Sequence, residues 1–312
     1  MRRIFITITW SAAVSGWLLS GCAPTNTEHQ TSGDSVITAV ANPEVKIPSA
    51  EDSAVWEAET RLRKDSSEEN FIWYGRRLGY AERMEDAVAA FTSGLSRYPD
   101  SYKLYRFRGH RYISLKDFSL AVIDLERAAR LAKGKKIELE PDGIPNKLNK
   151  PLSTYQFNIY YHLGLAYYMI GDFYRAQTAY QECMKYSVND DLLVATADWL
   201  YMTLRRMNDV KAAEQVLRSV PERLDIIEND SYAIRIRLYK GQVKPEEVLQ
   251  ADSTGRDYHL NLATQGYGVA NWYYYTGEPD KARHLMEEIL KGKSTYSFGY
   301  IAAQTDLQRL WR

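Results

Sequence analysis

The sequence predicts an all-α fold: a solenoid of helical hairpins, about six repeats with flanking helices, behind a leader and a flexible tether. Three observations carry that expectation. Glycine, alanine and aromatic positions recur at a spacing of 34 residues, the length of a helix–turn–helix unit. Beyond the clear repeats, the spacing of alanines still keeps close to that period. At the start of the chain, an apolar run ends at a lone cysteine and gives way to a Thr/Ser/Asn/Pro-rich stretch. The chain has 312 residues, with 40 Lys and Arg against 40 Asp and Glu. This balance lacks the basic footprint of a nucleic-acid binder.

Taken in order, Arg2 and Arg3 precede 16 uncharged residues, Ile4 to Leu19. That is shorter than the roughly 20 residues a spanning helix needs, and it suits a secretory leader. The run closes with Leu19-Ser20-Gly21-Cys22, which resembles the bacterial lipobox: an aliphatic residue, two small ones, then the cysteine that receives a diacylglycerol. The resemblance implies a signal peptide over 1–21 and a mature chain beginning at acylated Cys22. It also implies a lipid-anchored protein of the bacterial cell envelope. Ala23 in place of Asp favours the outer membrane over the inner one in lipoproteins of the enterobacterial type. Acyl chains contribute about 0.8 kcal/mol per buried CH₂, so two or three of them hold a protein at the membrane. Residues 22–52 follow as the acylated N-terminus and a tether without apolar period, and about 30 such residues reach roughly 30 Å.

The solenoid is expected over 53–312, with Ser53 as N-cap of a first helix carrying Trp56 and Leu62 on one face. Gly75 and Gly109, Ala87 and Ala121, Phe91 and Leu125, and Gly94 and Ala128 are each 34 apart. Residues 157–190 show the pattern best: Tyr160, Leu163, Gly164, Tyr167, Gly171, Phe173, Ala176, Tyr180, with Cys183 in a small buried slot. These residues resemble the tetratricopeptide repeat. The resemblance implies paired antiparallel helices with glycine at their closest approach and alanine opposite. Repeats are expected at 68–101, 102–135, 157–190, 194–227, 228–261 in degenerate form, and 263–296. In the degenerate unit, Tyr232 to Tyr239 and Pro245 to Leu249 are the helices. A final helix, Tyr296 to Leu310, is expected to cap the array. From Gly109 to Gly164 is 55 residues, so 21 residues are inserted there, covering 134–154 with three prolines.

No catalytic constellation is present. The five histidines, His29, His110, His162, His259 and His284, form no H-E-x-x-H and no zinc spacing with cysteine. The expectation is a non-enzyme with no cofactor and no metal. What remains is a surface. In the repeat class, positions two, five, nine and twelve of the first helices line the concave groove. Those positions place Arg76, Arg106 and His110 together on two adjacent helices, with Tyr161 and Tyr168 extending them as flat faces. Residues 102–136 hold ten Lys and Arg against three Asp and Glu. The expected ligand is therefore acidic. Asn158 stands at one position of the class's peptide-carboxylate clamp, but its neighbours do not complete the set. The leading expectation is an anchored scaffold for a peptide or protein partner. The alternative is a glycan-binding accessory lipoprotein of a polysaccharide-utilisation system, taking an acidic polysaccharide.

Overall fold

The computed structural model describes residues 49–143, 146–250 and 258–311. Cys22 and the lipobox lie outside them. The described residues form fourteen helices and no strand. The first, α1 (Ala50–Lys64), is followed by six hairpins: α2 (Glu68–Tyr80) with α3 (Met84–Arg97), α4 (Tyr102–Ser114) with α5 (Phe118–Ala132), and α6 (Tyr155–Ile170) with α7 (Phe173–Met184). Then come α8 (Asp190–Arg206) with α9 (Val210–Ser219), α10 (Asp230–Tyr239) with the short α11 (Pro245–Gln250), and α12 (Tyr258–Tyr275) with α13 (Pro279–Leu290). Helix α14 (Phe298–Leu310) ends the series. The architecture is the predicted hairpin solenoid.

The glycine slots explain why these helices pair. A Cβ at Gly75 would lie 2.4 Å from the Phe91 ring, and one at Gly164 would lie 2.7 Å from the Tyr180 ring. In each hairpin the aromatic of the second helix fills the space that the missing side chain leaves. Ala87, Ala121, Ala176, Ala213 and Ala282 are all fully buried. Cys183 is buried too, its thiol against the Phe157 carbonyl, and burial pushes that thiol up to about 12. It is a packing residue.

Two expectations about the ends are corrected. The first helix is capped by Ser49, not Ser53. The Ser49 hydroxyl accepts from the Asp52 N–H, and the Asp52 carboxylate accepts from the Ser49 N–H, a reciprocal capping box. Its buried face carries Val55 and Ala58, while Trp56 is 67% exposed. At the other end, α14 does more than cap the last hairpin. It packs against α12 and α13 and returns to α6, where Arg309 donates to the Tyr168 and Met169 carbonyls. Arg206 of α8 pairs with Asp306 of α14 at 2.6 Å, both almost wholly buried. The C-terminal first helices therefore close inward on α6.

Candidate functional site

The first helices α2 and α4 bring three of the expected groove residues together. Arg76, Arg106 and His110 line one cavity of about 80 Å³, with Tyr80, Phe91, Phe107, Arg111 and Glu140. The register explains the convergence. Arg76 and Arg106 sit on facing sides of neighbouring hairpins, and His110 lies one turn beyond Arg106. Aromatic rings set the planes of the guanidinium groups. Arg76 lies 4.6 Å from the Trp73 ring centre and 5.0 Å from that of Phe107, and Arg106 lies 4.4 Å from Phe107 on its own helix.

The anion in this cavity comes from the chain itself. Glu140, in the insert, pairs with Arg106 at 2.8 Å, both side chains about 6% exposed. The insert runs as an extended strap beside the start of α6. The Glu140 N–H donates to the Ser153 carbonyl at 3.0 Å, and the Tyr155 N–H donates to the Glu138 carbonyl at 3.0 Å. The Gln156 side chain donates to the Lys136 carbonyl at 2.9 Å. Glu138 meets Lys103 and accepts from the Tyr102 hydroxyl. Two residues beyond Glu140, the charge of Arg76 pulls on Asp142, whose carboxyl partial burial nonetheless raises. At Gly143 a Cβ would fall 1.5 Å from the Tyr80 hydroxyl and 2.7 Å from Arg76 Nη2, so a side chain there would displace both. Three acids spaced two apart thus face Lys103, Arg106 and Arg76.

Burial shapes the charges. His110 Nδ1 lies 3.3 Å from Arg106 Nη1 and 3.0 Å from Arg111 Nη2, so it accepts from the arginines as a neutral imidazole. Burial, then the charges of Arg111, His162 and Arg106, holds His110 well below the usual histidine range. His162, its ring 4.3 Å from that of His110, is likewise held down by burial and by Arg106. Burial also pushes Arg111 down to about 10, with Arg106 adding to the effect.

The two tyrosines are placed differently from expectation. Tyr161 is 6% exposed and shares a hydrogen bond with the Tyr232 hydroxyl at 2.9 Å. Tyr168 is 1% exposed, bonded to the Tyr267 hydroxyl at 2.8 Å and accepting from Asn271 at 2.8 Å. Neither lines the arginine cavity, and neither offers a flat face to a ligand. Their positions would face solvent in an open array, but here the inward return of α10, α12 and α14 covers them. The glycan alternative loses its stacking surface with them.

Sequence reasoning missed Arg111, Tyr80 and Glu140. Arg111 adjoins His110 but lies off the four groove positions, so the register passed over it. Glu138, Glu140 and Asp142 alternate along the insert opposite a strongly basic segment, and that complementarity was the available signal. Among the described residues no cluster of three His, Cys, Asp or Glu is arranged to hold a metal ion. None of the described helices is long and apolar enough to cross a membrane.

Residues 159–187, spanning most of α6 and all of α7, match the family model for the tetratricopeptide repeat. No curated protein sequence matches the chain. Among solved structures the chain is similar to YrrB, a TPR protein with an unusual peptide-binding site. The identity is 13% over 82% of this chain and 100% of that one, with a TM-score of 0.42. It is similar also to a tetratricopeptide repeat protein from Parabacteroides merdae, at 12% identity over 82% of this chain and 92% of that one, TM-score 0.49. A third likeness is to MamA, at 15% identity over 62% and 86% of the two chains, TM-score 0.42.

Proposed function

We propose that this chain is a non-catalytic scaffold, anchored through Cys22 to a bacterial envelope membrane, that binds an acidic extended segment of a protein partner. One observation carries the binding half of this reading. The cleft formed by α2 and α4 already holds such a segment in cis, residues 138–142, with Glu138 and Glu140 paired to Lys103 and Arg106 and Asp142 within the field of Arg76. A groove that takes an extended acidic chain from its own insert has the chemistry to take one from another protein. The partner's segment exchanges with the strap. The anchor half is supported by the Leu19-Ser20-Gly21-Cys22 run after a short apolar stretch.

The test uses the full chain and a fluorescent peptide of the strap's own sequence, Ile-Glu-Leu-Glu-Pro-Asp-Gly. A variant with Glu138→Gln, Glu140→Gln and Asp142→Asn should bind this peptide in trans, more tightly than the wild-type protein does. Binding should weaken with salt, because partly exposed charges are screened beyond about 8 Å at physiological ionic strength. Arg106→Ala should lower the affinity further. Absence of salt-dependent binding in both wild type and strap variant would remove the partner reading. Tagged fatty acid should label wild type but not Cys22→Ser, and equal label in both would remove the anchor.

A further inference from the structure

The cations in the α2–α4 cavity outnumber the acids that reach them. From α2 come Arg76 and the Tyr80 hydroxyl, and from α4 come Arg106, His110 and Arg111. Helix α3 contributes Phe91 and the Met84 sulfur, and α6 contributes His162 behind His110. The insert brings Glu140 to the cavity and Asp142 to its edge, beside Arg76. Three guanidinium groups therefore face two carboxylates. Of these three guanidinium groups only Arg106 has an ion pair within 4.0 Å among the described residues; Arg76 and Arg111 have none there. Arg76 makes one long bond of 3.3 Å to Tyr80, and Arg111 is left with His110 Nδ1 and the Met84 sulfur at 3.7 Å.

A second observation points the same way. The Nε atoms of Arg76 and Arg106 are buried without any partner, in residues 7% and 5% exposed, and both residues line the cavity. A buried donor left unpaired is costly, and a buried guanidinium without an opposing charge costs more. Water can bridge Glu140 Oε2, which is also unpaired, to one of these nitrogens. Water brings no charge, however, to offset Arg76 and Arg111. The cavity, at about 80 Å³, exceeds the ~10–15 Å³ that one water needs by this measure.

We infer that this cavity is a binding site for one small oxyanion, a phosphate, sulfate or carboxylate group, held by Arg76, Arg106 and Arg111 beside Glu140. Planar guanidinium forks match the paired oxygens of these groups, and a halide would leave part of each fork unused. Tyr80 adds a hydroxyl donor. His110 and His162, held neutral beside the arginines, gain a reason to protonate when an anion enters. Anion affinity therefore rises as pH falls. The site stands independently of the partner reading, because the ligand is a free small oxyanion and the strap stays in place.

The test measures the thermal midpoint and the titration heat of the full chain with sodium sulfate, phosphate or acetate. Sodium chloride at matched ionic strength is the control. At least one oxyanion should raise the midpoint saturably where chloride does not. For sulfate, whose charge is constant over the range, the rise should be larger at pH 6 than at pH 8. Arg111→Met leaves the Arg106–Glu140 pair intact and removes a partly buried unpaired charge. It should fold at least as stably in anion-free buffer and lose tenfold or more in oxyanion affinity. Arg76→Gln serves as a second variant and should lose a similar factor. Equal responses to chloride and to all three oxyanions would overturn the site, as would a wild-type response retained in both variants. Peptide binding without an oxyanion effect removes this site alone, and the reverse result removes only the partner reading.

Discussion

Asp198→Asn should destabilise this protein by about 3–5 kcal/mol, the usual cost of leaving one member of a buried ion pair behind. Asp198 of α8 and Arg235 of α10 form an ion pair with side chains 0% and 1% exposed. Arg235 also donates to the Thr264 carbonyl of α12 at 2.6 Å, and the Tyr239 hydroxyl donates to the other Asp198 oxygen at 3.0 Å. Gly268 of α12 makes room for the arginine, since a Cβ there would lie 2.2 Å from Arg235 Cδ. The Asp198–Arg235 pair thus ties three first helices together. In the asparagine variant, Arg235 keeps its charge with no anion, and one carbonyl oxygen cannot replace both carboxylate contacts. Against a typical stability of about 5–15 kcal/mol, that loss is a large fraction.

The pair's own worth is a separate quantity. Burial pushes the Asp198 carboxyl up to about 6, against the pull of Arg235 and the Tyr239 hydroxyl. Desolvation therefore offsets much of the attraction. Replacing both partners with apolar residues, Asp198→Leu with Arg235→Met, should recover most of what the single change loses, and adding Tyr239→Phe should recover more. The assay is urea unfolding at pH 7.5, where the carboxyl is ionised, with slopes compared to confirm a common transition. A single-variant cost below about 1 kcal/mol, or a double variant no better than the single, would refute the reasoning.

Two further outcomes are expected. Ala121→Leu should cost about 1–3 kcal/mol by overpacking the α4–α5 crossing, where Ala121 is 0% exposed; Ala129→Leu, off that slot, should cost much less, and equal shifts in denaturant midpoint would mean the helix register is wrong. Stability in sulfate-free buffer should also fall on acidification from pH 7.5 to 5.5. His110 and His162 are held below the usual range when folded, so their contribution is present above the unfolded pKa of about 6.5 and is lost as pH falls towards their folded values. The two together amount to about 2–3 kcal/mol over that interval. The double variant His110→Asn with His162→Gln should flatten the dependence, and an unchanged slope would dismiss these histidines as its source.

The repeats were legible because their signals are local and periodic. Gly75 with Phe91 and Gly164 with Tyr180 are contacts within one hairpin, and a fixed spacing reproduces them along the chain. The degenerate unit was found by spacing alone, since α10 and α11 carry no glycine–alanine pair. In their place stands the Asp198–Arg235 pair, whose partners are 37 residues apart. The Ser49 cap was readable as S-x-x-D, but Ser53 lies nearer the first apolar residues and drew the boundary inward. The inward return of α14 was not legible at all. Arg206 with Asp306 and Tyr168 with Tyr267 are separated by about 100 residues, and no periodicity encodes such meetings. Concave positions were therefore read as open groove. The insert covers Arg76 and Arg106 near the start of the array, and the returning helices cover Tyr161 and Tyr168 further along.

The strap has a structural consequence for any partner that replaces it. Without an acid between them, Arg76, Arg106 and Arg111 would repel across one small cavity, so the insert stabilises the α2–α4 pairing while it fills the cleft. A partner segment must therefore supply comparable negative charge, or the exchange costs the energy of that repulsion. It must also supply it at the right spacing. Glu138, Glu140 and Asp142 lie two residues apart on an extended backbone, which sets the acids about 6.5 Å from one another on one side of the chain. An acidic helix presents its charges at three- and four-residue intervals with a rise of about 1.5 Å per residue. Residues two apart on a helix point to opposite sides, so a helix cannot set acids on one face at the strap's two-residue spacing. Selectivity for extended over helical acidic segments thus follows from the two-residue spacing of the acids that Lys103 and Arg106 hold.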